Sequence, residues 1–206
     1  KSFVPPAQTP MYRDPAAQSM ENEHSAAPFG AENRLPSRGS FAEPMRIYSA
    51  SQVVRVHVEL TSRCNAACPM CPRTRSGGEP NENLPLTELT LADFRTMFPP
   101  PLLHRLKQFL FCGNYGDAMV ARDTLPIVEY LRTEQPKLKI KLVTNGSGRD
   151  AKFWAKLARL ATTVTFSIDG LFEVNRVYRR RTSFDRIMAS VRAYLGAGGR
   201  AEWDFL

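Results

Sequence analysis

Apolar and polar positions first fall into a regular pattern at Val53. In Val53-Val-Arg-Val-His-Val-Glu-Leu60 they alternate from Val54 onward, the two-residue period of a strand. Lys107-Gln-Phe-Leu-Phe-Cys112, Leu138-Lys-Ile-Lys-Leu-Val-Thr144 and Thr163-Val-Thr-Phe-Ser-Ile168 read as three more strands, closed by Gly113, Asn145-Gly146 and Asp169-Gly170. Between them the period lengthens. Thr90 with Asp93 caps a helix through Phe98, and Pro126 sits in the first turn of a helix from Asp123 or Thr124 to about Arg132. Phe153, Trp154, Leu157 and Leu160 share one helical face; Phe184, Ile187, Met188, Val191 and Leu195 mark a further helix that Gly196, Gly198 and Gly199 end. Ala201-Glu-Trp-Asp-Phe-Leu206 reads as a fifth strand. Strands alternating with helices predict an α/β fold of parallel β-α units joined by right-handed crossovers. Periodicity leaves open whether the sheet closes into a barrel or stays an arc.

Residues 1–50 break this pattern. Pro5, Pro6, Pro10, Pro15, Pro28, Pro36 and Pro44 interrupt them, with no sustained apolar period, so a Pro-rich, loosely ordered N-terminal arm is expected ahead of a core domain over 51–206. At 206 residues and 43% hydrophobic content the chain can bury one ordinary core. No apolar run approaches the roughly 20 residues of a membrane helix, and no secretory segment is visible, which gives the expectation of a cytoplasmic protein without a membrane partner. The chain starts at Lys1 and stops inside its last strand, and so reads as part of a longer protein.

The formal net charge of +8 is uneven: residues 1–52 hold five basic and five acidic side chains, leaving 23 basic against 15 acidic in 53–206. A basic domain can meet nucleic acid, a phosphorylated ligand or an acidic peptide. More often such a balance is a solvated surface.

The chemistry concentrates after the first strand. Cys64, Cys68 and Cys71 lie in Thr61-Ser-Arg-Cys-Asn-Ala-Ala-Cys-Pro-Met-Cys-Pro-Arg73. The spacing Cys-x3-Cys-x2-Cys supplies three thiolates, which can hold three corners of a cubane iron–sulfur cluster and leave one iron open. Structural zinc wants a fourth ligand, and no second Cys or His pair follows; a zinc-stabilised nucleic-acid-binding module without catalysis is the rival reading. Four cysteines are too few for a disulfide scaffold at this length. Ligands of parallel α/β folds bind outside the carboxyl ends of the strands. That rule gathers the cysteine loop, Gly113-Asn-Tyr-Gly-Asp117, Thr144-Asn-Gly-Ser147 and Ser167-Ile-Asp-Gly170 onto one rim.

On these residues the chain resembles the radical S-adenosylmethionine (radical SAM) enzymes. The flanks of the cysteine motif look most like the branch with a SPASM or twitch domain. The resemblance implies a partial (β/α)6 TIM-like barrel, carried here through about the fifth strand. It implies a 4Fe–4S cluster on Cys64, Cys68 and Cys71, and S-adenosylmethionine cleaved reductively to a 5′-deoxyadenosyl radical that abstracts hydrogen from substrate. It assigns the Met70 backbone to the adenine and Gly116 and Asp117 to the methionyl ammonium. Ser167, Asp169 and Asn145 go to the ribose or carboxylate wall, and Arg179 to the methionyl carboxylate. Asp117 stands where the family has Glu, and Ala118 where it has Pro. The implied partners are a reductant such as flavodoxin or ferredoxin and a peptide or protein substrate, with tRNA or a small metabolite as the alternative. Arg180, Arg181 and His57 carry no assigned role, and Cys112 is expected to be buried filler.

Overall fold

Alternation along the strands is what builds the sheet. In β3 (Lys139–Thr144), Ile140, Leu142 and Thr144 are buried while Lys139 is exposed. The same phase recurs in β2 (Gln108–Phe111), where Phe109 and Phe111 are fully buried, and in β4 (Thr163–Ser167), where Val164 and Phe166 are. With β1 (Arg55–Val58) and β5 (Ala201–Asp204) these form one parallel sheet in the order β1-β2-β3-β4-β5. Register keeps like faces together: Val58 pairs Phe111, Phe111 pairs Leu142, Thr144 pairs Phe166 and Ser167 pairs Asp204. The structure, a computed structural model, describes residues 48–205. The N-terminal arm expected over residues 1–50 therefore lies, up to position 47, outside the described residues.

Helices cover the apolar face. They are α1 (Leu91–Met97), α2 (Pro100–Leu103), α3 (Thr124–Glu134), α4 (Ala151–Leu160), α5 (Glu173–Tyr178) and α6 (Phe184–Gly196). The Thr90–Asp93 capping box starts α1, and the Asp150 carboxylate accepts from Phe153 N at 2.8 Å to start α4. Two aromatic clusters fill the space between layers. Phe94, Phe98, Phe109, Phe111 and Tyr130 pack under β1 and β2; Trp154, Phe166 and Tyr194 pack under β4. Arg132 pins the layers from α3, donating to the Leu160, Leu138 and Pro136 carbonyls.

Two helices escape the sequence pattern, α2 and α5. The first is only a turn of the Pro99-Pro100-Pro101 run, with proline tolerated in the first helical turn. The second leaves Val174 and Val177 exposed, so it has no amphipathic stripe to read. Gly196, expected to end α6, is its last helical residue. The stop comes from Gly198 at φ 86°, with Gly198 N on Leu195 O and Gly199 N on Tyr194 O, a Schellman closure that a left-handed residue makes possible.

The opposite face of the sheet is mixed. His57, Lys141, Thr165 and Glu202 lie there with Leu110 and Val143, and Lys141 approaches Glu202 at 3.9 Å. A sheet covered on one side, with consecutive parallel strands in spatial order, is the first part of a (β/α) barrel wall.

Candidate active site at the carboxyl rim

The loop after β1 carries the three cysteines and is fastened along its length. Ser62 N and Thr61 Oγ1 donate to the Thr87 carbonyl at 3.0 and 2.9 Å. Arg73 Nε donates to Ser62 O at 2.8 Å and Arg73 Nη1 to Ala66 O at 3.4 Å, so the arginine beyond the third cysteine ties back to the loop's first half. Ala67 N donates to Arg180 O at 2.9 Å, and Arg180 Nη1 to Ser76 O at 3.1 Å. Arg180 thus has a structural part in the loop, where the sequence suggested only a solvated turn.

The loop after β2 lies directly on it. A Cβ at Gly116 would sit 1.7 Å from the Thr61 carbonyl oxygen, and one at Gly113 would sit 1.9 Å from Gly116 O, so both positions require glycine for close backbone approach. Asp117 N donates to Arg63 O at 2.9 Å and completes the junction.

All three cysteines are free thiols, and all line one cavity of 390 Å³. Met70, Arg73, Cys112, Gly116, Asp117, Asn145, Ser167, Tyr178, Arg179 and Asp204 share its wall. Residues from the carboxyl ends of β2, β3, β4 and β5 therefore meet the cysteine loop. Hydrogen-bond donors are aimed at the Cys64 sulfur: Ala66 N at 3.4 Å and Asn145 Nδ2 at 3.6 Å. Burial, with the Asp117 charge second, pushes the Cys64 thiol up to about 11. Burial also raises Cys68, against the opposing pull of Arg179.

The two carboxylates expected to meet the cosubstrate have other partners. Asp117 is buried; its Oδ1 accepts from Met119 N, and its Oδ2 from Thr144 Oγ1, Asn145 N and Asn145 Nδ2, all within 3.0 Å. Burial pushes its carboxyl up in spite of those donors. Asp169 is buried, lies outside the cavity wall, and accepts from Arg179 Nε at 2.5 Å. Asn145 is a bracket: Nδ2 also reaches Asn65 Oδ1 at 2.9 Å, and Oδ1 accepts from Ser147 N at 2.8 Å. Ser167 differs. It lines the cavity, and its hydroxyl makes no side-chain hydrogen bond among the described residues. Met70 stands at the mouth, 83% exposed.

Cys112, Tyr178, Arg73 and Asp204 belong to the wall without having been singled out for it. Cys112 is half-buried beside the other cysteines, not filler of the core, and its carbonyl meets His57 Nε2. Asp204 was within reach of the same strand-end rule, since it closes β5.

A cysteine-bearing loop at the carboxyl rim of a parallel β-α wall defines a barrel-type binding site. The chain belongs to the radical SAM superfamily, whose family model matches residues 58–206. A curated relative, GTP 3′,8-cyclase of Paenarthrobacter nicotinovorans, is 33% identical over 84 residues, 40% of this chain and 24% of that protein. Among solved structures, native anSMEcpe with bound AdoMet has a TM-score of 0.59 at 19% identity, over 73% of this chain and 44% of that one. Methylornithine synthase has a TM-score of 0.55 at 14% identity, over 74% and 44%. These similarities of fold agree with the strand order. The chain spans about a quarter of the curated relative and under half of these structures.

A 4Fe–4S cluster and S-adenosylmethionine are the cofactors of this superfamily. The donor set here suits such a cluster: three free thiols on one cavity, with two N–H groups directed at the Cys64 sulfur.

Proposed function

We propose that this chain forms the cosubstrate-binding part of a radical SAM enzyme, with Cys64, Cys68 and Cys71 holding a 4Fe–4S cluster. The observation that carries the reading is the meeting of three free thiols and the ends of four further strands in one cavity. When bound, the cluster and S-adenosylmethionine supply a 5′-deoxyadenosyl radical for hydrogen abstraction from substrate. The residues of the chain bind and orient. Gly116, on the cavity wall, lets the β2 loop lie against the cysteine loop where a methionyl ammonium would be received, and Asp117 acts from behind, holding that loop to β3. The free Ser167 hydroxyl and the cavity-facing edge of Arg179 suit the methionyl carboxylate. Met70 covers the adenine side with its backbone, and Asn145 supports the wall beside Cys64.

The substrate we favour is a peptide or protein, on the flanks of the cysteine motif. The similar anSMEcpe structure has also been solved with AdoMet and a peptide. A second reading, a nucleotide-like metabolite or tRNA, is favoured by the identity with GTP 3′,8-cyclase and by the basic charge. A cytoplasmic, low-potential one-electron carrier such as flavodoxin or ferredoxin would supply the electron; no described helix is long and apolar enough to cross a membrane.

The test is anaerobic incubation of the reconstituted chain with S-adenosylmethionine and dithionite. Release of methionine and 5′-deoxyadenosine, reduced at least tenfold in Ser167→Ala, is expected. A chain that holds the cluster but neither binds nor cleaves S-adenosylmethionine contradicts the proposal.

A further inference from the structure

The carboxyl rim has an outer side as well as a cavity, and α5 occupies part of it. Wholly buried Asn175 anchors this short helix from beneath, while Val174 and Val177 point outward, 62% and 72% exposed. Leu171 and Phe172 are exposed at its start. Two left-handed residues bracket the helix, Phe172 at φ 44° and Arg181 at φ 63°, a conformation that glycine adopts far more readily. Such backbone persists only where the surroundings over-determine it, and it gathers at binding and switch segments. Beside Val177 a surface hollow of 480 Å³ is lined by Glu173, Arg176, Arg180 and Arg181. Glu173 pairs with Arg176 at 2.9 Å. Arg180 and Arg181 are exposed and form no ion pair among the described residues, and the adjoining turn over 75–79 adds one charge of each sign. The patch is therefore an apolar strip with a net positive edge. It is also bonded to the cysteine loop: Arg180 O accepts from Ala67 N at 2.9 Å, and Arg180 Nη1 donates to Ser76 O at 3.1 Å. Ala67 directly precedes Cys68.

We propose that this outer face, from Val174 to Arg181, docks the acidic protein that delivers an electron to the site. This rests on the proposed function and adds the place and chemistry of the contact. A solvated basic turn would account for the arginines, but not for two valines held out between left-handed residues. An apolar centre with a charged rim is the anatomy of a protein interface. Charge complementarity selects an acidic partner, since unpaired guanidiniums speed the approach of an anionic surface and repel a cationic one. Position selects an electron carrier among acidic proteins. The contact lies one hydrogen bond from the loop that carries Cys68, on the side away from the cavity that S-adenosylmethionine and substrate would occupy. In the step served, an anionic flavin hydroquinone on the partner loses one electron to become the neutral semiquinone. The oxidised cluster takes up that electron, and no proton moves.

The experiment uses the full chain with flavodoxin as the probe. Calorimetry at low salt reads the dissociation constant, and stopped-flow absorbance reads reduction of the reconstituted cluster by flavodoxin hydroquinone and, separately, by dithionite. Val177→Glu and Arg181→Gly are each expected to weaken flavodoxin binding and slow flavodoxin-driven reduction about tenfold, with dithionite-driven reduction and iron content unchanged. Added salt should weaken binding to the unmodified chain more than to Arg181→Gly. Glycine suits the left-handed backbone at 181, so that variant keeps the test available where a charge at 177 disturbs folding. Lys137→Ala removes an exposed positive charge ahead of β3, at the other end of the sheet, and should change neither reading. Flavodoxin affinity unchanged in both variants, or lost equally in Lys137→Ala, overturns the proposal and leaves the cluster assignment standing. Variants that lose binding to phosphatidylglycerol vesicles, or lose self-association, while flavodoxin affinity holds also overturn it, in favour of a membrane surface or a second copy. An unmodified chain that dithionite reduces but flavodoxin neither binds nor reduces overturns the choice of partner and with it the proposal. A chain with no cluster for dithionite to reduce overturns the proposed function as well.

Discussion

Gly116→Ala places a methyl carbon 1.7 Å from the Thr61 carbonyl oxygen and 3.0 Å from that of Arg63. Real Cβ atoms essentially never come within 3.0 Å of another heavy atom, so the two rim loops must separate by roughly 1.3 Å. Neither neighbour is a side chain that can swing aside; both are backbone of the cysteine loop. Overpacking costs about 1–3 kcal/mol, and here the upper end applies. The 2.9 Å bond from Asp117 N to Arg63 O is stretched as well, which adds about 1 kcal/mol. A total of about 3–4 kcal/mol corresponds to a fall in Tm of roughly 6–16 °C for a chain of this size. The geometric consequence is local to the site: Cys64 is carried away from Asn145 and Asp117, so iron uptake on reconstitution falls with stability. Thermal unfolding and iron analysis of the same preparation read both effects. Gly196→Ala is the control, since a Cβ there meets nothing within 4 Å. It should be neutral or stabilise by about 0.5–1 kcal/mol in a helical position. A Gly116→Ala protein with unchanged Tm and unchanged iron content would refute the claim that direct backbone contact between these loops builds the cavity.

Three further predictions follow from particular residues. Arg132→Ala releases the Leu160, Leu138 and Pro136 carbonyls and should lower stability by about 2–3 kcal/mol in urea unfolding, with Arg132→Lys recovering only part of it. Burial pushes Tyr194 up to about 12, above its ordinary value near 10. The unfolded chain therefore loses that proton first, so the contribution is intact below pH 10 and is lost as pH rises toward 12, by about 2–3 kcal/mol; Tyr194→Phe should flatten that slope in alkaline urea titrations. Arg73→Ala cuts both ties across the cysteine loop and should lower iron retention severalfold under chelator challenge, while far-ultraviolet circular dichroism stays unchanged.

The strands were legible where apolar and polar residues alternate across the two faces of the sheet: Lys139-Ile-Lys-Leu carries its own register. The Thr90–Asp93 box was equally plain, since it is satisfied within one turn. α5 was not, because its cap residue Phe172 has φ 44° and the helix turns valines outward, a local conformation held by buried Asn175, whose Oδ1 accepts from Asp169 N. The rim residues were legible in position and not in orientation. Strand-end counting places Asp117 and Asp169 on the rim, but the Asp117 carboxylate turns to Thr144 and Asn145 of the next strand, and that of Asp169 to Arg179 ten residues along its own β-α connection. Side-chain direction at such sites is decided by tertiary hydrogen bonds, which a one-dimensional pattern does not carry.

Iron and sulfide stoichiometry after anaerobic reconstitution tests the central claim most directly. The account predicts a brown protein with about four irons and four sulfides per chain, lost on replacing Cys64, Cys68 or Cys71 by alanine and retained in Cys112→Ala. A colourless chain that instead holds one zinc, or iron uptake indifferent to those three cysteines, would contradict it.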